Sequence, residues 1–131
     1  MLIAETGVRG VTVPEPLIRI GEVARGAGVS VRAVRYYEEQ GLLFPRRSPS
    51  GQRLYRPDTV TLVRFIQQMY AAGLTSSRIA ELLPCWDSGH TDPAQRAMLR
   101  AERERIQARV DELRAALDRL DEVIAITDTH P

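Results

Sequence analysis

Between Leu17 and Pro84 the apolar positions recur at helical spacing, interrupted by glycines and by one Arg-rich stretch. The segment from Ile20 to Gly28 predicts a short helix ended by glycine. Ser30 is placed as an N-cap for a second helix, because its hydroxyl can accept an orphan backbone N–H. That helix runs from Val31 to about Gln40, and Gly41 supplies a left-handed stop. On a wheel at 100° per residue, Val31, Ala33, Val34 and Tyr37 share one side. Arg32, Arg35, Tyr36 and Glu39 share the opposite side. The first set should face a core and the second should face outward, so two adjacent tyrosines receive opposite roles.

Two short extended pieces then flank Ser48-Pro49-Ser50-Gly51, which predicts a hairpin. It carries Arg46, Arg47, Arg53, Tyr55 and Arg56. Pro57 suits the first turn of a third helix with an apolar stripe at Val60, Val63, Ile66, Met69 and Tyr70, ended by Gly73. Thr75 can cap a fourth helix, with Leu74 and Ile79 as a hydrophobic staple, and Pro84 is expected to close it. Residues 85–91 read as a linker. Asp92, Pro93 and Gln95 form an N-terminal capping pattern, and nothing breaks the helix from there to about Thr127.

The last helix carries a heptad. Leu99, Ile106, Leu113 and Leu120 recur every seven residues, as do Arg103, Val110, Leu117 and Ile124. A head of this size cannot cover so long a stripe, so a partner helix is expected, with Leu99, Ile106, Val110, Leu113, Leu117, Leu120 and Ile124 at the interface. Packing of the stripe within the same chain is the alternative. The expected fold is therefore mainly α: a winged helix-turn-helix head with a short β-hairpin wing over 17–84, and a long C-terminal coiled-coil dimerisation helix over 92–127. Residues 1–16 read as a flexible extension and 128–131 as a short tail.

Net charge is only +1, but its distribution changes the picture. Residues 1–84 hold 11 Arg against 7 acidic residues, and 85–131 hold 7 Arg against 10 acidic residues, so a basic head precedes an acidic tail. Every basic residue is Arg, and Arg forks onto guanine edges and phosphates where Lys offers a point charge. On the outward face of the second helix, Arg32 and Arg35 suit a major groove, and Tyr36 suits a phosphate contact. Arg46, Arg47 and Arg53 on the wing would neutralise further phosphates. A merely solvated face is the competing reading, and the neighbouring basic hairpin argues against it.

No Gly-rich phosphate loop, nucleophile–base pair or convergent carboxylate set is present, so an enzyme is not expected and no cofactor is implied. The chain lacks an apolar run of membrane-spanning length and a secretory leader pattern, and a single cysteine excludes an intrachain disulfide, so a cytoplasmic location is expected.

Several blocks carry a specific resemblance: Arg-Ile-Gly-Glu-Val-Ala at 19–24, Gly-Val-Ser-Val-Arg at 28–32, Arg-Tyr-Tyr-Glu at 35–38, Gly-Leu-Leu at 41–43 and Arg-Leu-Tyr-Arg at 53–56. They resemble the MerR family of bacterial regulators, in detail over about 18–84 and in architecture over the long helix. The resemblance implies a homodimer joined by an antiparallel coiled coil. It implies binding to pseudo-palindromic promoters whose over-long spacer is bent and untwisted for RNA polymerase. It places Ser30, Arg32, Arg35, Tyr36, Arg47, Arg53 and Tyr55 at DNA-contacting positions.

The family's sensing devices do not carry over. Metal-sensing members place cysteines at the start of the dimer helix and in a loop after it, iron–sulfur members need four, and multidrug-binding members append a ligand domain. Here the residues left for sensing are Cys85, Trp86 and His90. Cys85, Asp87 and His90 would make a thin metal-ligand set, and no metal is expected. A thiol redox switch, a small apolar pocket beside Trp86, and simple packing of the joint are the alternatives. Two other readings remain: an excisionase-like architectural DNA-bending protein without sensing, and a coiled-coil interaction protein that has lost DNA binding.

Overall fold

The computed structural model describes residues 16–130. The flexible extension expected over 1–16 lies outside these residues except for Pro16, which is exposed. The chain forms two compact units divided after Trp86.

The first unit begins with a feature absent from the sequence reading, strand β1 (Ile18–Arg19), which leads directly into helix α1 (Ile20–Ala27). Val23 and Ala24 are the buried face of α1. Its end is closed by Gly28 at φ 74°, and the Val29 N–H returns to the Ala24 carbonyl at 3.0 Å. Helix α2 (Val31–Glu39) starts where Ser30 caps it: the Ser30 hydroxyl accepts the Ala33 N–H at 3.0 Å. Past Gln40, Gly41 turns the chain at φ 77°, and the Leu42 N–H reaches the Tyr37 carbonyl at 2.9 Å. Leu42 and Leu43 then drop into the core.

The wing consists of β2 (Arg46–Arg47) and β3 (Arg53–Tyr55), joined by a turn in which Ser48 Oγ accepts the Gln52 N–H at 3.0 Å. β3 is central in the sheet, with order β1-β3-β2 and antiparallel pairing on both sides. The wing is thus stitched to the N-terminus of α1, not hung from a two-stranded hairpin.

Helix α3 (Thr59–Ala71) buries Val63, Ile66 and Met69 along one stripe. Pro57 lies in the turn just before it, and the Thr59 N–H meets the Arg56 carbonyl at 3.0 Å. α1 and α3 approach closely at Gly26: a Cβ there would stand 3.0 Å from the Val60 methyls, and Arg64 donates to the Gly26 carbonyl at 2.6 Å. Helix α4 (Ser76–Ser88) begins with Thr75 Oγ1 accepting the Arg78 N–H at 3.2 Å, and Leu74 and Ile79 are both buried as the staple requires.

Pro84 does not end α4, contrary to the expected stop and to a linker starting at residue 85. The helix continues to Ser88 because its next turn has something to pack on: the Trp86 ring stacks on Phe65 of α3 at 5.4 Å between centroids. Proline removes one backbone bond but leaves the following residues free to stay helical. Val23, Val34, Leu42, Val63, Ile66 and Ile79 form the enclosed centre of the head, each worth about 1.5–3 kcal/mol of burial.

The second unit is dominated by helix α5 (Pro93–Asp128), 36 residues and about 54 Å long. Its start is fixed by a reciprocal cap: Asp92 Oδ1 accepts the Gln95 N–H at 2.7 Å, and Gln95 Oε1 accepts the Asp92 N–H at 2.8 Å. None of its residues is buried.

Candidate nucleic-acid interface

α2 divides as its periodicity dictates. Val34 and Tyr37 are buried, whereas Arg32, Arg35 and Tyr36 are exposed. Tyr37 stacks on Tyr70 at 5.7 Å, and burial, with Tyr70 beside it, raises its phenol above the usual range. Tyr36 rests against Tyr37 at 6.3 Å in an edge arrangement while staying 45% exposed. Tyr70 is itself held by a hydroxyl pair with Ser76. The neighbouring aromatic packing therefore sets where Tyr36 can point.

The wing arginines separate into two kinds. Arg46 is exposed and takes part in no ion pair among the described residues. Arg53 and Arg47 instead face α2: Arg53 Nε lies 2.5 Å from Glu38 Oε1, and Arg47 lies 3.8 Å from Glu38 Oε2. The hydrogen bond to Glu38 holds the Arg53 guanidinium above its usual range. Arg47 also donates to the Gly51 carbonyl at 3.0 Å across the wing turn. Glu38 thus ties the wing to α2, a role sequence reasoning missed. The clue was an acid one turn after Arg35 on a helix edge facing a basic hairpin.

Tyr55 corrects an expectation of surface contact. It is only 3% exposed, and its hydroxyl is buried without a hydrogen-bond partner. Burial raises this phenol above its usual range, with Glu38 adding to the effect and the arginines opposing it. Tyr55 lies on the central strand β3, where it pairs with Ile18 of β1. Ser30 is exposed, and its Oγ accepts the Ala33 N–H as the α2 cap, which leaves its O–H free to donate.

On α5 the heptad residues are bare. Leu99 and Ile106 are over a third exposed, and Leu113, Leu117, Leu120 and Ile124 about half. Val110 is half-buried. Val123 and Ile126 are also exposed, outside the two heptad series. In the remaining candidate region, Cys85 and Trp86 are half-buried, and Asp87 and His90 are exposed. Ser88 Oγ accepts the His90 N–H at 3.1 Å. Among the described residues, no group of three or more His, Cys, Asp or Glu is placed to hold a metal ion. No described helix is long and apolar enough to cross a membrane.

A capped short helix, a glycine turn, a recognition helix with an outward Arg–Tyr face and a basic wing define a winged helix-turn-helix protein. Residues 18–85 match the MerR HTH family regulatory proteins, and 60–123 match the MerR DNA-binding family. The chain belongs to the MerR family, whose members are transcription regulators and not enzymes. It is 38% identical over 78 residues to a mercuric resistance operon regulatory protein of Pseudomonas fluorescens, covering 59% of this chain and 54% of that one. The chain spans about half the length of the curated relatives it matches. Among solved structures it is similar to the transcription regulator PbrR691 of Ralstonia metallidurans CH34 in complex with lead(II). That likeness has a TM-score of 0.70 and 32% identity, over 80% of this chain and 83% of that one. It shares the fold of HiNmlR, a MerR family regulator lacking the sensor domain, bound to promoter DNA, with a TM-score of 0.55 and 20% identity, over 79% of this chain and 80% of that one.

Proposed function

We propose that this protein is a homodimeric transcription regulator of the bacterial cytoplasm. It binds a pseudo-palindromic promoter and bends and untwists its spacer so that RNA polymerase engages both promoter elements. The observation that carries this reading is the outward face of α2, where Arg32, Arg35 and Tyr36 stand exposed, together with the exposed Arg46 on the wing. Such a face can enter a major groove, fork onto base edges and bond the flanking phosphates. The bare heptad stripe of α5 supports the dimer, and a two-fold protein reads a two-fold site.

Effector sensing is proposed on narrower ground. The relatives act on mercuric resistance or bind lead(II), but one cysteine per chain is a poor thiolate set for such ions. The stacking of Trp86 on Phe65 favours a packing role for the Cys85–Trp86 turn. A Cys85→Ser variant that keeps the wild-type transcriptional response to metals, thiol oxidants and small hydrophobic compounds is the expected result.

Selection of bound duplexes from a random pool should return an inverted repeat, and end-labelled fluorescence transfer should report a bend on binding. Arg32→Ala with Arg35→Ala should abolish selective binding. If that double variant keeps both affinity and salt slope, α2 is not the recognition helix.

A further inference from the structure

The strand that helical periodicity could not reveal brings a cation to the α2 side of the wing. β1 pairs with β3 so that Arg19 stands opposite Leu54. A cleft opens there, lined by Arg19, Ile20, Arg35, Gly51, Gln52 and Arg53. Its volume, about 230 Å³, is several times the roughly 30 Å³ share of one water, so it can take a tetrahedral oxyanion with part of its hydration.

The charges in this cleft are not equivalent. Arg53 is neutralised by Glu38 at 2.5 Å. Arg19 and Arg35 take part in no ion pair among the described residues. Glu22, in the first turn of α1, accepts the Arg19 backbone N–H at 3.1 Å but does not line the cleft. Two uncompensated guanidinium groups on a concave wall focus positive potential and suit a planar fork onto phosphate oxygens. Arg35 also belongs to the face that carries Arg32 and Tyr36, and the wing turn at Gly51 and Gln52 forms part of the lining.

We infer that Arg19 and Arg35 together hold one backbone phosphate of the bound duplex in this cleft. That makes β1 a third DNA-contacting element beside α2 and the wing. The inference rests on the DNA-binding reading above and adds Arg19 to it. It also gives the β1–β3 pairing a task, since moving β1 would move the phosphate site relative to α2.

The test uses the full chain, a random-sequence duplex of about 30 base pairs and fluorescence anisotropy from 50 to 200 mM salt. Each phosphate neutralised contributes about 0.9 to the log–log salt slope, so Arg19→Gln should lower the slope by about one. Over that fourfold rise in salt the variant should lose about threefold less affinity than wild type. Arg19→Lys, which keeps the charge, should restore the slope, and unchanged thermal midpoints show that both variants fold. If Arg19→Gln binds like wild type while Arg32→Ala with Arg35→Ala binds weakly, the inference is overturned and the functional reading survives. If neither variant differs from wild type, both fall. If calorimetry with inorganic phosphate alone gives tight binding that Arg19→Gln removes, while DNA binding is untouched, the cleft serves a free anion and the inference is overturned.

Discussion

Replacing Leu113 and Leu117 together by Asp strikes the middle of α5, where the two heptad series meet. These leucines are 50% and 59% exposed, so the single chain hides only about half of each. Complete burial of a leucine is worth about 1.5–3 kcal/mol, so covering the exposed half contributes about 1 kcal/mol per side chain. A two-fold dimer contains four of them, giving about 4 kcal/mol lost, or roughly a thousandfold in the dissociation constant. Four carboxylates forced into the seam add desolvation and like-charge repulsion, so a thousandfold is a lower bound. Sedimentation velocity across micromolar concentrations should show wild-type dimers and monomers of the double variant. Its head should melt at the wild-type temperature, because its core lies in the other unit. A wild-type protein that sediments as a monomer throughout would refute the seam, and so would a double variant that remains a dimer.

Three further outcomes test the head. Tyr55→Phe removes a buried hydroxyl with no partner and should stabilise the protein by about 1 kcal/mol in urea melts. Because folding raises the Tyr55 phenol above 10.0, the folded state holds that proton more tightly than the unfolded chain does. Its contribution is therefore complete below pH 10 and lost as pH rises through the raised value, so Tyr55→Phe should resist alkaline unfolding better than wild type. Glu38→Gln should lower the thermal midpoint modestly and steepen the salt dependence of DNA binding, since it releases Arg47 and Arg53 from α2; unchanged values of both would show the pair to be idle. Ser30→Ala should cost about 1 kcal/mol by uncapping α2, read as a lower melting temperature, while Ser30→Asp should keep most of that stability.

Local chemistry made much of this fold legible. The cap at Ser30, the reciprocal cap at Asp92 and Gln95, the left-handed glycines 28, 41 and 73, and the opposed tyrosines 36 and 37 each depend on residues within one or two turns. What escaped the sequence depends on distant partners. β1 is two residues long and exists only because β3 pairs with it. Tyr55, opposite Ile18 in that pairing, is buried, although from sequence alone it reads as one more exposed wing residue. The passage of α4 through Pro84 depends on Phe65, 21 positions before Trp86. Glu38 was visible within Arg-Tyr-Tyr-Glu, but its grip on Arg53 spans fifteen residues and a turn. The α2 face of the site was therefore readable, whereas the devices that set the wing's angle and the Arg19 cleft were not.

The arginine-only composition of the proposed DNA-facing surface has a chemical consequence. Arg19, Arg32, Arg35 and Arg46 carry no side-chain amine, and the chain contains no lysine at all. Acetylation, the common way a cell erases positive charge from a nucleic-acid-binding surface, has no side chain to act on here. A guanidinium also keeps its proton throughout the physiological range. The strength of this surface's electrostatic grip is therefore insulated from the cell's acyl-donor supply and its pH. Ionic strength, by contrast, still weakens it.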